Sequence, residues 1–277
     1  MTSKFTKSAD ESSVDSMVKT TNLSGDGEFV IVCEHASNYI PPEYNNLGLQ
    51  ENVLEKHIAW DPGAFAVAQT MSKLLDAPLV EQCISRLVYD CNRPPEAHNA
   101  MPVQSEIFEI PGNRGLTQKE RDERIANIYV PFRKALSSCL DQKISEGLNP
   151  VVITVHSFTP LYKGEKRDVE IGFLHDQDDR FAKGLIKSFA LEANHYDLRL
   201  NEPYAPIDGV THTLTEHALP RGLMNVMLEI RNDLISDEKS QEKLATLMVQ
   251  AINQTKNNLG IPSNQTAPIT KPTLTGN

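Results

Sequence analysis

Histidine and carboxylate side chains follow several short apolar runs of this sequence, at the points where the runs end. Glu34 and His35 follow FVIVC, His156 follows PVVITV, and Glu229 follows LMNVML. Imidazole and carboxylate groups are zinc ligands in hydrolases, where one coordination position stays open for water. A free carboxylate nearby can take a proton from that water and pass it to a leaving amine. These residue types therefore predict a mononuclear metal site with hydrolytic chemistry.

Arginine residues accompany the same apolar runs and predict an anionic substrate. Asn92 and Arg93 come directly after the run RLVYDC, which contains Asp90, and Arg231 comes two residues after Glu229. A guanidinium can hold a carboxylate through two parallel, charge-assisted hydrogen bonds. Because ligands of open α/β sheets bind outside the carboxyl ends of the strands, we expect these groups to converge at one edge.

Each candidate also has a purely structural interpretation. A single histidine after a strand is commonly a hydrogen-bonded loop residue, although two such histidines in one chain favour a shared site. Glu229 could form a structural salt bridge with Arg231, because a buried charge needs a partner. Asp61 precedes Pro62 and could simply cap the helix that follows. Nucleotide-binding and serine-hydrolase motifs such as GxGxxG, the P-loop and GxSxG are absent from the sequence.

Alternating strand and helix patterns position these residues. Apolar runs of strand length lie at 29–33, 150–156, 169–175 and 223–230, with further runs at 77–83 and 86–91. Amphipathic helix patterns cover 64–75 and 180–193, a long helix begins at a capping box of Thr117 and Glu120 and is kinked by Pro131, and Ser236 caps a last helix. This alternation predicts an α/β sandwich with a mostly parallel or mixed central sheet.

Composition limits the partners and the cellular setting. The 277 residues include 27 Lys and Arg against 37 Asp and Glu, which gives a net charge of −10. Such an acidic chain argues against nucleic acid or an anionic membrane as the main partner, and no apolar stretch approaches the roughly 20 residues of a membrane span. The four cysteines form no CxxC pair, and the first residues lack the apolar segment of a signal peptide. We expect a cytoplasmic protein without an obligate protein partner.

One domain is predicted between two polar segments. Residues 1–27 and 261–277 lack apolar periodicity and are expected to be flexible tails. Residues 28–260 contain no internal repeat and no linker-like stretch. We therefore expect residues 28–260 to form a single metallohydrolase domain.

Six ordered segments resemble the N-formylglutamate amidohydrolase family, and the likeness is closest to its less characterised branch. The resemblance covers about residues 28–255 and rests on VIVCEHASNYIP, HIAWDPGA, SRLVYDCNRP, VHSFTP, NEPYAPIDGVTHTLTEHALPRGL and MLEIRNDLI. It implies a three-layer α/β/α sandwich with a mixed, largely parallel sheet, similar to the fold of zinc carboxypeptidases. It also implies metal-dependent hydrolysis of N-formyl-L-glutamate to formate and L-glutamate, a late step of histidine breakdown.

The resemblance also assigns roles to individual residues. His35 and His156 match the family's metal-binding histidines, and Glu229 matches its general base and acid. Asn92 and Arg93 resemble the pair with which carboxypeptidases hold a substrate carboxylate. Further candidates for binding the substrate anion are Arg86 and Arg231.

The third metal ligand departs from the carboxypeptidase pattern. Carboxypeptidases use a Glu three residues after the first His, and this sequence has Asn38 there. We expect Asp61 to be the third ligand, with Glu34 as the second choice, because a strand would point Glu34 and His35 to opposite faces. The expected cofactor is one Zn²⁺ per chain, and iron, cobalt or manganese suit the same ligands.

Two other functions remain open at the level of sequence. One is a carboxypeptidase-like hydrolase that acts on a different N-acyl amino acid or on a small peptide. The other is a non-catalytic protein on the same fold that binds a metal or a small molecule. The carboxylate of Glu229 favours catalysis, because a pure binding protein does not need a general base.

Overall fold

The computed structural model describes residues 17–262. The strands within this range are β1 (Val18–Thr21), β2 (Phe29–Cys33), β3 (Leu79–Gln82), β4 (Gln104–Ser105), β5 (Phe108–Glu109), β6 (Val151–Phe158), β7 (Leu161–Tyr162), β8 (Glu165–Lys166), β9 (Ile171–Leu174), β10 (Leu198–Leu200) and β11 (Asn225–Arg231). The α-helices are α1 (Glu51–Leu54), α2 (Ala64–Leu75), α3 (Gln118–Arg124), α4 (Val130–Ser145), α5 (Arg180–Glu192) and α6 (Glu238–Asn258). No helix of this part of the chain is both long and apolar enough to cross a bilayer.

Seven strands form one mixed sheet in the order β1-β3-β2-β6-β11-β9-β10. The four neighbours β3, β2, β6 and β11 are parallel to one another. The strand β1 runs antiparallel to β3, and β9 runs antiparallel to β11 but parallel to β10. Two small hairpins, β4–β5 and β7–β8, lie outside this sheet.

Helices cover both faces of the sheet and make three layers. On one face, Phe29 and Ile31 of β2 pack with buried residues of α2, α5 and α6. On the other face, Val30 and Val32 pack with α4, which contributes Phe132, Leu136, Cys139 and Leu140. Both faces of β2 are therefore buried, as its unbroken apolar sequence requires. The predicted α/β/α sandwich with a mixed, largely parallel sheet is confirmed.

The central parallel strands bring their carboxyl ends to one edge of the sheet. Glu229 of β11 lies directly beside His156 of β6 in the register. His35 lies two residues after the end of β2, and β2 is the other neighbour of β6 in the sheet. Side chains that are far apart in sequence consequently meet at this edge, where ligands of open α/β sheets bind.

The N-terminal boundary differs from the prediction. Residues 18–21, which were expected to belong to a flexible tail, form β1 and pair with Leu79–Gln82 of β3. The strand β1 lies at the edge of the sheet, where its side chains are only partly covered. Its sequence VKTT is therefore mostly polar and lacks the apolar run that indicates a buried strand. Of the predicted tails, residues 1–16 and 263–277 lie outside the described residues.

Three predicted elements also differ in detail. The apolar run 86–91 forms turns and not a strand, because its buried side chains pack into the core from a loop. The long helix begins at the predicted capping box of Thr117 and Glu120, but a π-helical turn at Ile125–Tyr129 separates α3 from α4 just before Pro131. The cap of α6 is Asp237, which accepts from the Ser240 amide, and not Ser236.

Candidate metal centre and active site

Three buried side chains at the sheet edge point donor atoms at a common space. His35 Nδ1 lies 3.2 Å from His156 Nδ1 and 3.3 Å from Asp61 Oδ2. His156 Nδ1 lies 2.9 Å from the same Asp61 oxygen. Among residues 17–262, this trio is the group of histidine, cysteine and acidic residues whose spacing suits a metal ion.

The backbone explains why these three residues meet. His35 lies just beyond the end of β2, and His156 lies in the adjacent strand β6. Asp61 precedes α2, and its amide donates to the His35 carbonyl oxygen at 3.0 Å. The Ser157 amide donates to Asp61 Oδ2 at 3.2 Å. The turn before α2 is therefore attached to both strands.

Each histidine uses its second ring nitrogen to bind a carboxylate. His35 Nε2 lies 2.7 Å from Asp90 Oδ1, and His156 Nε2 lies 3.1 Å from Glu34 Oε2. Such outer carboxylates orient the ring of a metal-binding histidine and raise the basicity of its other nitrogen. This geometry makes Glu34 an outer partner of His156, so the second choice for the third ligand is wrong. Glu34 follows β2 on the face that His156 also occupies, and its side chain meets the far side of the ring.

Mutual attraction keeps this buried cluster charged. Burial acts to lower the pKa of His156, but the Glu34 and Asp61 carboxylates outweigh burial and hold that pKa well above its ordinary value. Burial acts to raise the pKa of Asp61, yet the neighbouring His35 and His156 hold it well below its usual range. Asp90 has a lowered pKa for the same reason, through His35 and Arg86. The carboxylates are therefore ionised and ready to act as ligands or orienting groups.

The donor set fits a tetrahedral metal ion. Zinc–nitrogen distances of about 2.0–2.1 Å place neighbouring ligand atoms of a tetrahedron about 3.3 Å apart. The three separations of 3.2, 3.3 and 2.9 Å are close to that spacing. Three protein ligands leave a fourth position open, as in catalytic zinc sites. Asn38 is engaged elsewhere, because its side-chain amide donates to the Leu54 carbonyl oxygen.

Glu229 is a buried carboxylate that faces the same cavity without a hydrogen-bond partner. Its Oε2 atom has no donor within the described part of the chain, and the side chain is only 5% exposed. Burial raises its pKa to about 7, and the charge of Asp61 adds to the effect while the nearby cationic groups oppose it. A carboxyl group poised near neutral pH can accept a proton and release it again. The alternative interpretation, a salt bridge with Arg231, is not what the structure shows, since Arg231 pairs with Glu170 and Asp233.

A cavity of about 510 Å³ opens above these residues. Its walls include the three candidate ligands, Glu229, Arg86 and Arg93, as well as polar residues farther from the trio. The guanidinium of Arg86 is already hydrogen-bonded within the protein: it donates to Asp90 Oδ2 at 2.8 Å and to Asp61 Oδ1 at 3.4 Å. Arg86 therefore holds the carboxylates of the centre in place.

Arg93 lines this cavity with a largely buried guanidinium whose Nε atom is unpartnered within the described part of the chain. Its Nη1 atom donates to the carbonyl oxygens of Asn92 and Gly209, whereas its buried Nε has no partner among residues 17–262. The Asn92 side chain is bonded to the Val210 carbonyl oxygen and to Thr213, so Asn92 supports the loop around Gly209. Of the predicted pair, Arg93 is the residue with free donor capacity.

Arg231 lies outside the cavity walls. Its guanidinium donates to Asp233 Oδ1 at 2.8 Å and to Glu170 Oε1 at 3.1 Å. The structure therefore does not bring Arg231 together with the other candidate residues, because β11 extends beyond the site and neighbouring acids pair with the guanidinium. Sequence reasoning gave no role to Asp90, although an acidic residue inside the apolar run RLVYDC signals a buried partner. It also gave no role to Tyr204, a residue of the cavity wall that no motif spacing indicated.

Comparisons with known proteins identify a family and a similar solved structure for this chain. The model of the family described as N-formylglutamate amidohydrolase matches residues 27–236. A crystal structure of the gene product Atu2144 from Agrobacterium tumefaciens shares 49% sequence identity with a TM-score of 0.85, over 88% of this chain and 96% of that chain. No curated protein matches the chain.

A second solved structure shares the fold at a greater distance. An N-formylglutamate amidohydrolase from Ralstonia eutropha JMP134 is 18% identical with a TM-score of 0.52, over 88% of this chain and 97% of that chain. This likeness concerns the fold alone, while the family assignment rests on the match over residues 27–236. The chain therefore belongs to the N-formylglutamate amidohydrolase family.

Proposed function

We propose that this protein is a metal-dependent amidohydrolase that cleaves the amide bond of a small N-acyl amino acid. The supporting observation is the convergence of three buried donor atoms beside an unpartnered carboxylate in one cavity. N-formyl-L-glutamate, which would yield formate and L-glutamate, is the first substrate to test because the family model carries that name. The proposal places the protein among hydrolases of linear amides.

The proposed metal ligands are His35, His156 and Asp61, and the proposed ion is one Zn²⁺. A divalent ion at this position supplies a Lewis acid that lowers the pKa of a water molecule and polarises a carbonyl group. Asp90 and Glu34 lie against the outer nitrogens of the two imidazole rings and would hold the rings so that their Nδ1 atoms could bind the ion. Neutral imidazole and ionised carboxylate suit zinc better than magnesium or calcium, which prefer oxygen ligands.

Glu229 is proposed to move the proton. Its unpartnered carboxylate accepts a proton from the attacking water and then donates it to the nitrogen of the departing amine. A pKa of about 7 permits both steps at neutral pH. Burial strengthens these interactions because little water competes for the carboxylate.

Arg93 is proposed to bind the carboxylate of the substrate. The side of its guanidinium that carries the unpartnered Nε atom can donate the two parallel hydrogen bonds that a carboxylate accepts. This contact would orient the amide bond between the ligand trio and Glu229, which line the same cavity. The role of Arg86 is then to hold Asp61 and Asp90.

The cavity also favours a second candidate, a larger N-acyl amino acid or small peptide. A volume of about 510 Å³ lies within the range of roughly 300–1,000 Å³ that accommodates drug-sized ligands. Arg93 supplies one guanidinium with an unpartnered Nε atom, which suits a substrate with one carboxylate. Rates measured on N-formyl-L-glutamate, N-formyl-L-glutamine, longer N-acyl-glutamates and dipeptides would rank the two candidates.

The variant Glu229→Gln tests the proposed chemistry. We expect Glu229→Gln to lower kcat by about 10²–10⁴ while zinc remains bound, because the amide keeps the shape but cannot accept the proton. Glu81→Gln is a matched control, since Glu81 is also buried with an unpartnered oxygen but lies outside the cavity walls. Near-normal turnover by zinc-loaded Glu229→Gln would remove Glu229 from the mechanism.

A further inference from the structure

Three aromatic rings surround the guanidinium of Arg167 next to the cavity. The central guanidinium carbon lies 4.4 Å from the ring centroid of Tyr162, 4.9 Å from that of Tyr204 and 5.5 Å from that of Phe158. All three rings line the cavity, whereas Arg167 lies behind them. Cation–π attraction therefore joins the end of β6, the β7–β8 hairpin and the loop after β10 into one wall.

A hydrogen bond fixes the hydroxyl group of Tyr204. Arg167 Nη1 donates to the Tyr204 oxygen at 3.0 Å. Tyr204 can still donate its own proton, and no acceptor is bonded to that hydroxyl within residues 17–262. A charged donor that occupies the oxygen polarises the O–H bond and makes it a stronger donor. The wall thus offers one oriented, unused hydrogen-bond donor.

Tyr204 lies close enough to Glu229 in the cavity for the charge of Glu229 to act on it. It lines the cavity together with Glu229 and Arg86, and both of these groups interact with it electrostatically. Burial raises the pKa of Tyr204 to about 12, and the negative charge of Glu229 adds to this effect. The phenol consequently keeps its proton at neutral pH and can donate it in a hydrogen bond.

We propose that Tyr204 is a further catalytic residue, whose hydroxyl donates a hydrogen bond to the carbonyl oxygen of the scissile amide as that oxygen gains negative charge. Arg167 is the positioning residue that polarises and orients this hydroxyl. The inference rests on the proposed amidohydrolase function and adds a residue to it. No proton is transferred by Tyr204, since Glu229 takes the proton of water and returns it to the amine. Arg93, with its unpartnered Nε atom, is the better partner for a fully charged carboxylate.

Kinetics of Tyr204→Phe test the proposal. Loss of one donor to a developing oxyanion lowers kcat by about 10²–10³, so Tyr204→Phe should show this loss with unchanged zinc content and little change in KM. Tyr196→Phe is the matched control, because Tyr196 packs on Phe189 and His195 away from the cavity. A wild-type kcat for Tyr204→Phe, or a change confined to KM, would overturn the assignment.

A double-mutant cycle tests the role of Arg167. We expect Arg167→Met to lower kcat by a smaller factor, and the double variant with Tyr204→Phe to be no slower than Tyr204→Phe alone, because Arg167 acts through the hydroxyl. Restoration of part of the loss by Arg167→Lys would support a polarising cation. Additive losses in the double variant would contradict the positioning role.

Binding of a tetrahedral inhibitor separates this inference from the proposed function. Calorimetry with a phosphonamidate analogue of an N-acyl amino acid should show roughly 10²-fold weaker binding to Tyr204→Phe, with unchanged binding of the product amino acid. Equal binding of the analogue to both proteins would overturn the role of Tyr204. If wild-type enzyme instead hydrolyses none of the N-acyl amino acids, the proposed function fails, and binding of the analogue still decides the role of Tyr204.

Discussion

At the scale of single residues, the site combines three carboxylates that lie against histidine rings with a fourth, Glu229, that does not. Asp61, Asp90 and Glu34 all contact histidine, and their pKa values are lowered by it. Glu229 has no such contact, and its pKa rises to about 7. Under the proposed function, these two kinds of buried acid would divide the work into holding a metal and moving a proton.

The unpartnered carboxylate predicts a pH-dependent cost in stability. Because folding raises the pKa of Glu229 above its unfolded value, its contribution to stability is fully present below the unfolded pKa and is lost as pH rises through about 7. In metal-free protein, Glu229→Gln should therefore raise the free energy of unfolding relative to wild type by up to roughly 3 kcal/mol at pH 8. The gain should shrink towards pH 5.

Urea denaturation of both metal-free proteins at several pH values measures this difference. The same measurement on Glu81→Gln serves as the comparison. Glu81 is also a buried acid, but it lies on β3, on the side of β2 away from β6. A pH-independent difference between wild type and Glu229→Gln would mean that Glu229 does not titrate near neutrality in the folded protein.

Sequence reasoning named the three candidate ligands that the structure brings together, but not the partners of these residues. His35 and His156 stand at ends of apolar runs, where strand geometry indicates a shared edge, whereas Asp61 was indicated by the family motif around it. The contacts of Asp90 with His35 and of Tyr204 with Arg167 depend on how loops fold over that edge. Arg231 was expected in the site but lies outside the cavity walls. The alternation of side chains along a strand indicates which face a residue occupies, but not how far it lies from the site.

At the scale of elements, the site depends on the turn that starts α2. Gly63 has φ of +81° and packs against Ile235, so that an added Cβ would lie 2.4 Å from the Ile235 carbonyl oxygen. The turn carries Asp61 two residues earlier; the Asp61 amide donates to the His35 carbonyl oxygen, and the Asp61 carboxylate accepts from the Ser157 amide of β6. Close packing on the loop before α6 therefore sets the position of a candidate ligand.

Substitution of Gly63 should damage both stability and metal affinity. We expect Gly63→Ala to lower the free energy of unfolding by about 3 kcal/mol or more, from backbone strain and the clash with Ile235. Gly115→Ala is the control, because Gly115 also has positive φ, +67°, but has no atom within 4 Å of an added Cβ. Its cost should be about 1 kcal/mol.

Urea titrations of both variants, with zinc affinity measured by competition with a chromophoric chelator, check this expectation. Equal destabilisation by the two substitutions would contradict the view that contact with Ile235 fixes the turn.

The elements themselves were predicted unevenly. The buried strands β2, β6, β9 and β11 were evident because both faces of the sheet are covered and their sequences are continuously apolar. The edge strand β1 was missed because its polar sequence carries no such signal. The run 86–91 was misleading, since buried loop residues are as apolar as strand residues.

At the scale of the whole molecule, the metal centre would join segments that are far apart in the chain. Its three candidate ligands come from the end of β2, the turn before α2 and the strand β6. An ion that binds only the folded protein stabilises it by about 2.7 kcal/mol at a concentration 100 times its dissociation constant. Metal binding and global stability should therefore rise and fall together.

The most direct test of the account is the metal content of the protein, measured with its melting temperature after zinc loading and dialysis. We expect one zinc per chain and a raised Tm for wild type, and loss of both in His156→Ala and Asp61→Asn. The control His195→Ala removes an exposed histidine outside the cavity walls and should behave as wild type. Wild-type protein that holds no metal after loading, or His156→Ala that holds zinc as tightly as wild type, would contradict the central claim.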